Sequence, residues 1–330
     1  MNTLRRSTLR AALAATALCV ALAWSADAPA QAAWPSKPIR VVVPFAAGGA
    51  TDVVGRMLAQ KLAEVWGQSV VVENRTGAGG SVGGDIVAKS PGDGYTLLFA
   101  SGAITINPQI YKNMPFDTQK DLVPITNVAS GPMLLVVADD SPARSVKDLI
   151  AMAKAKPGTV NFGSAGVGSQ THLAAEYFAD AAGIDIVHVP YKGEAPAYTD
   201  LIGRQTQMMV GNFAPASALL GPGRLRALAV TGKARSPLLP EVPTVAESGL
   251  AGFNVGGWFG LFAPAGTPPE ILARIQRDTL KVLAATEFKA RLYVQGMAPV
   301  GNTPAEFAKT MEEESRHWAA VVKNRKLSAN

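Results

Sequence analysis

Three short segments place glycine beside Ser, Thr or Asp where a β-type run gives way to a helical pattern. They are Phe45-Ala46-Ala47-Gly48-Gly49-Ala50-Thr51-Asp52, Arg75-Thr76-Gly77-Ala78-Gly79-Gly80-Ser81, and Gly163-Ser164-Ala165-Gly166-Val167-Gly168-Ser169-Gln170-Thr171-His172. Glycine lets a backbone approach a ligand closely and adopt positive φ. The first turn of a helix has N–H groups without intrahelical partners, and the helix dipole adds positive potential there. The chemistry on offer is capture of an anion by backbone amides. A carboxylate that accepts two or three such bonds gains about 1.5–3 kcal/mol from each. Any one of these turns reads more readily as a plain helix cap; three so rich in glycine favour a shared binding role.

Enzymatic chemistry has weaker support. Gly79-Gly80-Ser81-Val82-Gly83 matches the G-x-S-x-G pattern of a nucleophile elbow. The histidine of that arrangement belongs late in the chain, after an acid. His172 opens a helix beside a different glycine turn, His188 lies in a strand run and His317 on the last helix. A serine hydrolase acting through Ser81 therefore stands only as the alternative. Gly77-Ala78-Gly79 and Gly166-Val167-Gly168 both lack the third glycine of a dinucleotide fingerprint, with Val82 and Thr171 in its place. The three histidines are isolated and form no zinc motif. No metal and no cofactor is expected.

The elements that must carry these turns follow from the hydrophobic pattern. Short β-branched runs alternate with helical stretches, which predicts an α/β fold with a mostly parallel sheet. Strands are expected at 39–44, 69–73, 95–100, 133–138, 160–162, 186–189, 207–210, 225–230 and 258–263. A first helix puts Val54, Met57, Leu58, Leu62 and Val65 on one face, and another spans about 169–182. Residues 232–257 are rich in proline and glycine. Two amphipathic helices close the chain, one on Ile271, Ile275 and Val282, the other on Phe307, Met311, Trp318 and Val322. In an open α/β sheet, ligands sit beyond the carboxyl ends of the strands, where the three turns lie. The mature length exceeds one comfortable core, so two lobes are expected.

The N-terminus reads as an export signal. Arg5, Arg6 and Arg10 precede an apolar stretch from 11 to 24, and Ala30-Gln31-Ala32 supplies a small-x-small cleavage pattern. Cleavage near Ala32 predicts a periplasmic protein, and Arg5-Arg6 leaves Sec and twin-arginine export both open. The only cysteine, Cys19, lies in this segment, so the mature chain has no thiol for a disulfide, nucleophile or metal. Losing Arg5, Arg6, Arg10 and Asp27 takes the formal charge from +6 to about +4. The remaining cations are scattered, which gives no footprint for nucleic acid.

The residues also resemble a known family. Val43-Pro44-Phe45-Ala46-Ala47-Gly48-Gly49-Ala50-Thr51-Asp52 is similar to the opening motif of the Bug, or tripartite tricarboxylate transporter receptor (TctC-like), periplasmic solute-binding proteins. Glu73-Asn74-Arg75-Thr76-Gly77-Ala78-Gly79-Gly80, Pro91-Gly92-Asp93-Gly94-Tyr95-Thr96-Leu97 and Val189-Pro190-Tyr191-Lys192-Gly193 extend the match. So do the 163–173 turn, Leu239-Pro240-Glu241-Val242-Pro243-Thr244 and Trp258-Phe259-Gly260-Leu261-Phe262-Ala263-Pro264, in order along the mature chain. Ala47 departs from the family pattern, where proline is frequent.

The resemblance implies a two-lobed, Venus-flytrap fold. Lobe one would be 34–131 plus 255–330, and lobe two 132–254. It implies that two loops of lobe one grip a carboxylate like pincers. Carried over, these bring Phe45, Ala46, Gly48, Gly49, Thr51 and Asp52, then Gly77, Ala78, Gly79 and Ser81. Lobe two would read the rest of the ligand with Ser164, Ala165, Gly166, Ser169, Thr171 and His172. Asp52 is expected to cap or hold water, since like charges repel. His172 either donates to a ligand oxygen or caps its helix. Lys192 either pairs with a second carboxylate or stays solvated. Asn212 is a candidate for lining the cleft. The implied ligand is a small organic carboxylate: a di- or tricarboxylate, an acidic amino acid or an aromatic acid. The implied partner is a membrane permease of the tripartite tricarboxylate type, or else a sensor. A monomer is expected, because closure needs independent lobes.

Overall fold

Ile39–Val43, almost entirely β-branched and buried, forms β1 at the centre of a parallel trio. It pairs in parallel with β2 (Val70–Asn74) on one side and β3 (Thr96–Ser101) on the other. Helices α1 (Ala50–Trp66) and α2 (Ser81–Ala88) make the crossovers. After α3 (Ala103–Ile110) and α4 (Thr118–Asp121) comes a long strand, β4 (Leu122–Ala138). Next follow α5 (Val146–Ala155), β5 (Val160–Ser164), α6 (Gln170–Ala182), β6 (Ile186–Pro190), α7 (Glu194–Ile202) and β7 (Met208–Asn212). Helix α8 (Phe213–Ser217), β8 (Leu225–Val230) and β9 (Gly256–Pro264) lead to α9 (Pro269–Ala284), α10 (Thr286–Val294), β10 (Ala298–Pro299) and α11 (Pro304–Asn324). This computed structural model describes residues 34–329, so the export segment lies outside the described residues.

The fold is α/β with a mixed sheet, ordered β2-β1-β3-β9-β4-β7-β5-β6. Parallel pairing holds among β1, β2 and β3 and again among β5, β6 and β7. Strands β4 and β9 pair antiparallel with their neighbours, so each half of the sheet is parallel only in its outer strands. From Leu122 to Pro132, β4 pairs with β9; from Met133 to Ala138 it pairs with β7 and β8. One strand thus serves both half-sheets. From Lys37 onward the chain packs as one unit.

Two expectations are corrected here. The pattern predicts a strand at 133–138, but β4 begins at Leu122, eleven residues earlier. Pro124, Asn127, Gly131 and Pro132 disguise the first part as a turn. The register shifts at Pro124/Thr126 and Asn127/Ala129 absorb the irregularity, as bulges do. Val65, expected on the apolar face of α1, is 46% exposed. Trp66 takes the inward place, and its indole donates to Asp278 on α9 at 3.1 Å.

Candidate functional site

β1 runs into Pro44–Gly49, and α1 then starts with Gly49 extended and without a side-chain cap. Asp52, in the first turn of α1, curls back instead of facing outward. Its carboxylate accepts from the Gly48 amide at 3.0 Å, from Arg56 Nε at 2.9 and 3.0 Å, and from Asn74 Nδ2 at 2.8 Å. Asn74 Nδ2 also donates to the Phe45 carbonyl at 2.9 Å, so Asp52 ties the first turn to the end of β2. Burial alone would raise the Asp52 pKa. Hydrogen bonds from Arg56, Asn74 and Gly48, with the Arg56 charge, outweigh it and hold the carboxyl below its ordinary range.

The second turn winds through a short 3₁₀ segment, Ala78–Gly80, into α2. Gly79 sits at φ +59°, and a Cβ there would lie 2.2 Å from the Val167 carbonyl of the third turn. Only glycine permits that approach. Ser81 is buried, its Oγ accepting from Asn107 Nδ2 at 3.0 Å and facing Met114 Sδ at 3.5 Å. Neither neighbour is a base.

The third turn is held by its own side chains. Ser164 is fully buried, its Oγ 2.6 Å from His188 Nε2 and accepting from the Gly166 amide at 3.0 Å. Ser169 caps α6 by accepting from the His172 amide. Thr171 Oγ1 accepts from the Ala165 amide at 2.8 Å. His172 neither faces a cavity nor caps with its ring: Nδ1 accepts from the Gly168 amide at 3.2 Å, and Nε2 lies 3.7 Å from Glu176. Its ring stacks on His188 with centroids 3.9 Å apart, and the Phe162 ring lies near-parallel beside both, 4.9 Å from His188 and 6.1 Å from His172.

Burial and the neighbouring His172 push the His188 pKa down to about 3. A histidine neutral in the fold but protonatable when unfolded makes stability full above about pH 6.5, its ordinary value. That stability falls as pH drops toward 3, by up to about 1.4 kcal/mol per pH unit. We expect His188→Gln, which keeps an acceptor for Ser164 but does not titrate, to flatten this slope. Urea midpoints of both proteins at pH 7 and 4.5 check it; parallel losses in both would contradict it.

The three turns meet at Phe45 and Ala165, which pack with Ala103 in a small apolar cluster. Two spaces adjoin this wall. The larger, about 600 Å³, is lined by Phe45, Gly77, Ala78, Gly79, Ala165, Gly166 and Lys192 among the expected residues. Tyr111, Val167 and Tyr191 also line it, and the Tyr111 hydroxyl donates to the Val167 carbonyl at 2.9 Å. The smaller holds about 20 Å³, room for one water. It brings together Phe45, Gly49, Thr51, Ala165, Ser169, Thr171 and Asn212. Ala46, Gly48, Asp52, Ser81, Ser164 and His172 line neither space. All but Ala46 brace the turns through the hydrogen bonds above. Ala46 instead packs beside Gly193, where an added Cβ would meet its methyl at 2.8 Å.

Sequence reasoning missed Ser101, Gln170 and Glu194 in the smaller space. Glu194 is the notable one. It is 5% exposed, and its Oε2 accepts from the Ala50 amide in the first turn of α1 at 3.1 Å. Its Oε1 accepts from the Asn212 amide at 2.8 Å and from Asn212 Nδ2 at 3.0 Å. Burial raises its pKa against the pull of those donors. Its sequence signal, an acid opening a helix, reads only as a complement to the helix dipole. Among the described residues, no group of three or more His, Cys, Asp or Glu side chains is placed to hold a metal, and no helix is long and apolar enough to cross a membrane.

Residues 54–327 match the family described as the tripartite tricarboxylate transporter family receptor. The Bordetella pertussis protein BugT is 38% identical over 94% of this chain and 96% of its own. A solved R. palustris protein with adipate superposes with a TM-score of 0.86 at 35% identity, covering 89% of this chain and 99% of that one. MatC from Rhodopseudomonas palustris, with bound malate, gives a TM-score of 0.81 at 31% identity over 88% of this chain and all of its own.

Proposed function

The chain belongs to the tripartite tricarboxylate transporter receptor family, and from that premise we propose that it is an exported, non-enzymatic solute-binding protein for a small carboxylate. The observation that carries this reading is the meeting of three amide-bearing turns around one cavity of about 600 Å³, with Lys192 on its wall. The volume suits a small organic acid. The turn Gly77–Gly79 lines this cavity, and its backbone amides are fixed donors that need no side-chain entropy. The adipate and malate held by the two R. palustris relatives support a carboxylate ligand.

Capture works by closure of two lobes, divided near 131/132 and 254/255, about the strands that serve both half-sheets. The switch of β4 from β9 to β7 and β8 at Pro132–Met133 supports that division. Asp52 and Asn74 brace the first pincer loop, Asn107 the second, and His172 and Ser164 the third. Closure excludes water and strengthens each amide contact. The closed form is what a permease of the tripartite tricarboxylate type would engage, in the periplasm.

The test is a thermal-shift screen of protein lacking the first 32 residues, refolded from denaturant to strip any carried ligand. The panel pairs small carboxylates with their primary amides. At a hundredfold over its dissociation constant a ligand stabilises by about 2.7 kcal/mol. We expect at least one acid to raise the melting midpoint while its amide does not. Shifts from neutral solutes alone, or from none of the acids, would overturn the reading.

A further inference from the structure

Glu194 is a buried carboxylate at the edge of a site read as binding carboxylates, and its placement poses a charge problem. Its oxygens take three hydrogen bonds, from the Ala50 amide and from the amide and side chain of Asn212. None of these three donors is a lysine or arginine. Around it, the hydroxyls of Thr51, Ser101, Ser169 and Thr171 line the same small space. Each of these hydroxyls can accept a hydrogen bond as well as donate one. A buried anion without a counter-cation is costly, and a second anion brought against it costs more. In the larger space, which shares Phe45 and Ala165, the amides of the Gly77–Gly79 turn and Lys192 offer donors and positive charge. Phe45 and Ala165 line both spaces, so one small molecule reaching across them would have amide donors at one end and the Glu194 carboxylate at the other.

Granted the carboxylate capture proposed above, on which this rests, we propose that Glu194 is a specificity-determining residue that receives an ammonium group of the ligand. The ligand class is then an amino-carboxylate rather than a dicarboxylate. The ammonium supplies the counter-charge that Glu194 lacks and donates to the neighbouring hydroxyls. The ligand's carboxylate lies at the glycine turns. A dicarboxylate of the same length would set its second charge against Glu194.

Calorimetric titration of the refolded protein with pairs of matched carbon number, in which a terminal ammonium replaces one carboxylate, decides this: 4-aminobutanoate against succinate, 5-aminopentanoate against glutarate, and 6-aminohexanoate against adipate. For the best-binding pair we expect the amino member to bind at least about tenfold more tightly than its dicarboxylate twin. Glu194→Gln, close in shape, should erase most of that margin. Two outcomes would overturn the proposal while leaving carboxylate capture intact. One is a preference for the dicarboxylate that Glu194→Gln strengthens, which would make Glu194 a competitor for the Ala50 amide. The other is a margin that the variant leaves untouched. If the variant fails to fold, the wild-type preference alone decides. If no acid of any pair binds, the capture reading falls and this proposal with it.

Discussion

Gly79→Val is expected to weaken ligand binding by at least about a hundredfold, with a loss of no more than about 5 °C in melting midpoint. The reason lies in one contact. A Cβ at position 79 falls 2.2 Å from the Val167 carbonyl, and the backbone there holds φ at +59°. A β-branched residue pays about 1–2 kcal/mol for that left-handed conformation. Forcing atoms into the gap adds about 1–3 kcal/mol if the turns stay together. The neighbouring backbone cannot rotate away as a side chain would. The turns part instead, and the strain is released at the expense of the cavity they form. Since Gly79 sits in a turn, the sheets and helices keep their packing. Val82→Ala, at a 43% exposed neighbour, serves as the control and should bind normally. Normal affinity in Gly79→Val would mean that the second and third turns need not touch for binding.

Asp52→Ala is expected to cost about 2–4 kcal/mol of stability and to reduce affinity as well. The carboxylate is 4% exposed and gathers Gly48, Arg56 and Asn74. Removing it leaves these donors facing an apolar methyl, although Arg56, half exposed, recovers water. Asp52→Asn should restore about half of the loss, since it keeps an acceptor but not the charge. The sign of the pH dependence follows from the depressed pKa. The stability due to Asp52 is complete above the ordinary aspartate value of about 3.8. It disappears as pH falls through the lower value of the folded state. Wild-type and Asp52→Ala stabilities should therefore differ at neutral pH and converge in strong acid. Urea unfolding at pH 7 and at pH 3 or below measures both. A constant difference at every pH would assign the loss to packing instead of charge.

These two sites also mark what the sequence made legible. The glycine turns are legible because their cause is local: the residue types that free the backbone stand next to those that start a helix. Asp52 was legible only as a cap or a water-holding group, and its bond to Asn74 comes from packing against the end of β2. Glu194 was not readable. Its role arises only when α7 packs against the start of α1, 144 residues away in the chain. His172 had two open roles, and the stack on His188 and the Gly168 amide, both set by tertiary packing, give it a third as a brace. The first half of β4 was hidden by the same prolines and glycine that its bulges accommodate. The antiparallel run of β9 beside β3 and β4 has no local signature either, because strand direction is decided by connections, not by pattern.

The central claim is that backbone amides of converging turns hold a ligand through its negative charge. Calorimetric titration of the tightest acid in the panel and of its primary amide, on the same refolded protein at pH 7, tests it most directly. The amide keeps the shape and loses the charge. Its affinity is expected to fall at least about a hundredfold. Equal affinities would show that the site reads shape without charge, and the amide-pincer account would be wrong.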